Sequence, residues 1–162
     1  MRLAEAVAKA ARLTDERARA DLRREVDEDL EEAARSDDFR ERALAYRAIG
    51  ELRFAQKTEL LRRGLEDESP ACRGSALLSL ELLSRDHPRL VNANRPLLHE
   101  LANADPNSAV RRLAVLCLKN GSPMRDTLTL LEHLAQEESE EKELRAAASS
   151  VHRTLKRKAA AR

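Results

Sequence analysis

Aromatic side chains make up only 2% of this 162-residue sequence: Phe39, Tyr46 and Phe54 all lie in the first third, and there is no tryptophan. A core without large rings must be assembled from Leu, Ala, Val and Ile. Glycine and proline are also scarce, with four and five copies, which excludes the many tight turns of a sandwich or barrel. What remains is rich in Leu, Ala, Arg and Glu, the strong helix formers, so the chain reads as all-α. The two cysteines, Cys72 and Cys117, sit inside apolar stretches. That placement suits reduced, buried thiols in a cytoplasmic protein better than a disulfide framework. Charge of one sign is missing as well: 30 basic and 29 acidic residues give a net charge of +1, so no global field draws the chain to nucleic acid or membrane. No run approaches the roughly 18 apolar residues that span a bilayer. Glu5 and Lys9 interrupt the first apolar segment before a secretory signal can form.

What is present is helical periodicity broken at regular intervals. Leu3, Val7, Ala10 and Leu13 predict a first helix over 2–13, and Thr14 with Asp15 and Glu16 reads as a cap with an acidic first turn. Further helices are expected at about 15–35, 38–53, 55–65 and 70–84, the last opened by Ser69 as N-cap and Pro70 as first helical residue. The same cap-plus-proline reading places helix starts at Asp105–Pro106 and Ser122–Pro123. Pro88 and Pro96 predict a helix over 88–103 that bends near Asn94. The final pair is expected at 123–136 and 140–158, with Ser139 at the break.

An internal repeat organises these helices. Aligning DESPACRGSALLSL from Asp67 with DPNSAVRRLAVLCL from Asp105 matches Arg73 with Arg111, Ala76 with Ala114 and Leu80 with Leu118, one framework used twice 38 residues apart. Weaker copies carry Arg42 with Ala45 and Ile49, and Arg145 with Ala148 and His152. This pattern resembles the HEAT repeat, in which a helix, a short turn bearing Asp and a second helix opening with Val-Arg recur. The best-matched stretch is LLHELANADPNSAVRRLAVLCL, Leu97 to Leu118. The resemblance implies a right-handed α-α superhelix of about four helical hairpins plus an N-terminal helix. It divides a single 1–162 domain into a capping helix (1–14), repeats at 15–53, 54–85, 86–120 and 122–158, and a short basic tail (159–162). The first copy departs from the pattern at Ser36 and Glu41, and the last at Ser139 and His152, as terminal repeats do when their outer faces meet water. The resemblance also implies that Arg42, Arg73, Arg111 and Arg145 are scaffold positions, with Asp67 and Asp105 available to pair with them between repeats.

Motifs for chemistry are few. His87, His99, His133, His152, Cys72 and Cys117 are not spaced for a metal site, and no cofactor motif, nucleophile elbow or phosphate loop occurs. A base-excising enzyme on similar repeats is the sharpest catalytic alternative, but it would want aromatics to hold an extruded base. The chain is therefore read as non-catalytic. Charge is uneven: the second helices of the expected repeats carry 15 basic and 8 acidic residues, whereas 15–35 carries five basic and nine acidic. In a solenoid the second helices line the inner face, so a basic surface is expected there. The residues off the repeat framework, Arg112, Lys119, Arg153, Lys156 and Arg157, are the candidates for partner binding. The expected function is a scaffold for a protein partner; nucleic-acid binding through phosphate contacts by the same residues is the alternative. No membrane partner is expected, and oligomeric state is left open.

Overall fold

Short polar side chains, rather than prolines, cap three of the helices in the computed structural model, which describes residues 2–162. Met1, first residue of the expected capping segment, lies outside the described residues. Among the described residues there are ten helices and no strand: α1 (Arg2–Ala10), α2 (Glu16–Ala34), α3 (Phe39–Glu51), α4 (Thr58–Leu65), α5 (Pro70–Ser84), α6 (Arg89–Ala93), α7 (Arg95–Ala104), α8 (Ser108–Leu118), α9 (Arg125–Gln136) and α10 (Lys142–Ala160). Asp15 and Asp38 accept the backbone N–H of Arg17 and Arg40, and Asn107 accepts that of Val110, capping α2, α3 and α8. Two expected starts are corrected. Asp105 accepts the N–H of Asn107 in a tight turn, so Pro106 lies before the cap and α8 opens at Ser108. After Ser122–Pro123 the chain stays extended through Met124, and α9 opens at Arg125. The first helix is shorter than expected, closing at Ala10. The bend near Asn94 is a full break, where the Asn94 amide donates to Leu90 O at 2.8 Å and Pro96 takes the first turn of α7. No helix among the described residues is long and apolar enough to cross a membrane.

The chain forms two compact units, one ending at Leu83 and one running from Ser84 to Arg162. In the first, α2 and α3 are antiparallel: Arg23, early in α2, donates to Leu52 O just past the end of α3 at 2.8 Å. The helix α1 packs on both. Helices α3 and α5 instead run parallel, since Cys72 Sγ donates to Phe39 O near both starts and Ser79 Oγ meets Tyr46 O and Gly50 N farther along. Small residues permit this approach: a Cβ on Gly50 would lie 2.6 Å from Ser79 Cα, and one on Gly64 of α4 2.8 Å from Ala76 Cβ. Tyr46 and Phe54 are buried in a core otherwise led by Leu30, Leu61 and Leu65, while Phe39 stays exposed beneath the Arg40 guanidinium. Each fully buried leucine stabilises the fold by about 1.5–3 kcal/mol.

The C-terminus of α3 breaks a local rule. Arg53 adopts φ 55°, and the N–H groups of Arg53 and Phe54 bond back to Gly50 O and Ile49 O, the paired bonds of a Schellman motif. Glycine is the usual residue there. Buried Phe54 fixes the turn from the core side.

The second unit holds two antiparallel hairpins, α7/α8 and α9/α10. The second helices again run parallel: Arg111 at the start of α8 pairs with Glu140 just before α10, and Lys158 near the end of α10 reaches the carbonyls of Lys119 and Gly121 past the end of α8. The first helices are tied in the same way, through His99 of α7 and Thr127 of α9 at 2.9 Å.

Candidate functional site

Four turns in the two units share one construction. A side chain two residues back accepts a backbone N–H: Ser36 from Asp38, Asp67 from Ser69, Asp105 from Asn107 and Glu137 from Ser139. The sequence reading put Ser139 itself at the last of these positions; Glu137 supplies the accepting oxygen. Each turn delivers the chain into α3, α5, α8 or α10, and each of those helices carries one repeat arginine in its first turns.

The arginines then act on their surroundings in matching ways. Arg42 Nη1 donates to Ser36 O at 3.0 Å and Asp37 O at 3.1 Å; Arg73 Nη1 donates to Asp67 O at 2.9 Å and Glu68 O at 3.1 Å. The remaining nitrogens of Arg42 grip Asp67 in a fork, Nε to Oδ2 at 2.9 Å and Nη2 to Oδ1 at 3.1 Å. Arg111 grips Glu140 with bonds of 2.6 and 2.9 Å, while its Nε donates to Ala102 O. Burial alone would raise the Asp67 pKa, but the Arg42 fork and the Ser69 N–H outweigh it and hold the carboxyl below its ordinary value. The Glu140 carboxyl is likewise lowered, chiefly by the Arg111 hydrogen bonds. Paired guanidinium and carboxylate groups of this kind lock two helices in register. Asp105 is buried in its turn. Arg145, the fourth repeat position, differs: it is half-buried and its Nε is buried without a hydrogen-bond partner.

The five residues expected to meet a partner fall on the two parallel helices of the second unit. Arg112 and Lys119 are seven residues apart on α8 and share a stripe; both are half-buried. Arg153, Lys156 and Arg157 are exposed within little more than one turn of α10. Arg153 donates to Ser149 Oγ at 3.2 Å and Arg157 to Thr154 Oγ1 at 3.5 Å, so both guanidinium groups meet hydroxyls rather than carboxylates. Lys158, next in the chain, lies outside this set. It is half-buried against the last carbonyls of α8, and burial, followed by the charge of Arg162, lowers its pKa. It caps a helix C-terminus.

No protein-family model and no curated protein matches this chain.

Two contacts of this unit are not announced by the sequence. Glu140 was hidden among Glu137, Glu138 and Glu141, and only the geometry selects which carboxylate meets Arg111. The His99–Thr127 pair joins two polar residues on different helices, each unremarkable alone; Thr127 is fully buried, and burial holds the His99 pKa below its usual value. The first unit bears the opposite surface. Asp27, Glu28, Glu31, Glu32, Asp37 and Glu41 line an open groove of about 640 Å³, and Lys57 Nζ lies 2.7 Å from Asp27 and 2.6 Å from Glu31. An apolar groove of about 570 Å³ between α1 and α2 is floored by Ala8, Leu13, Ala18 and Leu22. Among the described residues no group of three His, Cys, Asp or Glu is placed to hold a metal ion.

Proposed function

We propose that this protein is a non-catalytic α-solenoid scaffold of HEAT-like repeats, in which the second helices of the second unit, α8 and α10, form a surface that binds an acidic segment of a protein partner. Support for the repeat reading comes from the shared turn construction and from arginine forks that tie consecutive second helices in parallel within each unit. The single observation that carries the binding reading is the cation row on α8 and α10. Arg153, Lys156 and Arg157 are exposed and Arg112 is half-buried in a unit with 14 basic and 10 acidic residues, and the Arg153 and Arg157 guanidinium groups meet hydroxyls rather than carboxylates. A preformed helical surface of this kind binds with little ordering cost.

Phosphate contacts by the same row are the competing reading. No aromatic residue lies in the second unit, which removes the stacking platform used by single-strand binders. The test is affinity capture from source-cell lysate with the wild-type chain and with a variant carrying Arg112→Gln, Arg153→Gln, Lys156→Gln and Arg157→Gln. Enrichment of one identified protein by the wild type and its loss from the variant is the expected result. Equal recovery by both chains sinks the proposal, and a salt-sensitive gel shift of duplex DNA that the variant abolishes replaces it with the nucleic-acid reading.

A further inference from the structure

Two of the three equivalents of Arg145, Arg42 and Arg111, hold a carboxylate that stands just before the next helix. In α3 the residues Arg42, Tyr46 and Ile49, spaced i, i+4 and i+7, form the flank that faces α5, with Arg42 on Asp67 and Tyr46 O bonded by Ser79. In α8 the same spacing gives Arg111, Val115 and Leu118; Arg111 holds Glu140, and Val115 and Leu118 are buried. In α10 the spacing gives Arg145, Ser149 and His152. This flank lies away from α8, because Lys158, which does meet α8, sits on the other side of the buried stripe Leu144, Ala148, Val151 and Leu155. The apolar pair of the inner helices is replaced by a hydroxyl and an imidazole, both half-buried, with Lys156 and Arg153 continuing the flank. Ser149 and His152 are what a water-facing end of a repeat array requires. Arg145 is not explained that way: its Nε is buried and lacks a hydrogen-bond partner.

We infer that this flank of α10 is a docking surface for an acidic helix of a partner protein, which lies parallel to α10 and sets a carboxylate from its N-terminal turn on Arg145. This rests on the binding reading above and gives it a register. The occupant is polar, because the positions that would grip an apolar stack are Ser149 and His152. It is acidic, because Arg145, Arg153 and Lys156 line its path. It is parallel, because the carboxylates that fill the equivalent positions, Asp67 and Glu140, both stand just before the helix that they anchor. Its leading carboxylate also sits where a helix N-terminus favours negative charge.

The probe is a labelled alanine-based helix of about 20 residues, long enough to be helical in water, with Asp and Glu in its first turn and glutamates along one face. A second peptide carries the same residues in reverse order. Fluorescence anisotropy should show the first peptide binding the wild-type chain about tenfold more tightly than the second. Arg145→Gln should remove about tenfold in affinity for the first peptide, the value of a charged fork, and leave the second unchanged, while Arg145→Lys, which keeps charge but not the fork, falls between. Circular dichroism reports whether each variant is folded, and Arg162→Gln serves as a charge control with no expected effect. Equal binding of the two peptides, or an Arg145→Gln chain that binds like wild type, overturns the register. If Arg153→Gln with Lys156→Gln weakens both peptides while Arg145→Gln does not, the basic-face reading survives and the register alone fails. If the wild type binds neither peptide, or binds duplex DNA more tightly than both, the basic-face reading fails too.

Discussion

Removing the Arg42 fork should separate α3 from α5 more than any other single polar change in the first unit. The Arg42 and Asp67 side chains are only 13% and 7% exposed, and their shortest ion-pair contact is 2.9 Å. Truncating one member of a well-buried pair costs about 3–5 kcal/mol, because the other charge is left desolvated. Residual exposure places Arg42→Met at the lower end, about 3 kcal/mol. Asp67→Asn keeps an acceptor for Arg42 and for the Ser69 N–H, and should cost about 2 kcal/mol. The double variant should cost about 3–4 kcal/mol, a coupling of roughly 1–2 kcal/mol. Urea denaturation followed by far-ultraviolet circular dichroism measures all four chains. Acid gives an independent reading. Because the folded Asp67 carboxyl lies below its unfolded value of about 3.9, its contribution is full above about pH 4 and is lost as pH falls through the folded value. The wild type should lose stability over that range more steeply than Asp67→Asn. Single-variant costs that simply add, with the two acid slopes alike, would refute the view that the fork couples the helices.

Gly50→Ala should destabilise by about 2–3 kcal/mol in the same assay, because its Cβ would lie 2.6 Å from the Ser79 backbone. Arg53→Gly should stabilise by about 0.5–1 kcal/mol, since it removes a side chain from φ 55° at an exposed position; a thermal melt shows the gain, and a loss would contradict the Schellman assignment. Lys158→Met should cost about 1 kcal/mol and increase amide exchange at the C-terminal end of α8. His99 is held neutral by burial, so its folded pKa lies below the unfolded value of about 6.5. Stability should therefore fall as pH drops below about 6.5, and His99→Gln should flatten that slope in pH-dependent melts.

The helices were legible because Leu, Ala and Val keep a 3.6-residue period and Asp or Ser marks most breaks; α5 spans Pro70–Ser84 as expected. Proline misled at Pro106 and Pro123, where a side chain of the preceding turn accepts the backbone N–H or the chain stays extended, and the helix opens two residues later. The repeat arginines were legible by register, but their partners were not. Asp67 was foreseen for Arg42's row because the turn aspartate lies in the repeat pattern. Glu140 was not, since four glutamates within five residues offer no local signal for which one meets Arg111. Arg53 escaped because the αL position that ends α3 is normally announced by glycine. The candidate binding residues could be named from charge alone; that Lys158 is a helix cap and Arg145 an unmatched fork required the packing of α8 beside α10.

Amide and side-chain NMR of the isotopically labelled chain, titrated with the acidic helical peptide, tests the binding face most directly. The account predicts shift changes concentrated at Arg112, Lys119, Arg145, Arg153, Lys156 and Arg157, weakening as salt rises. Changes confined to the α1–α2 groove, or spread without preference over both units, would contradict it.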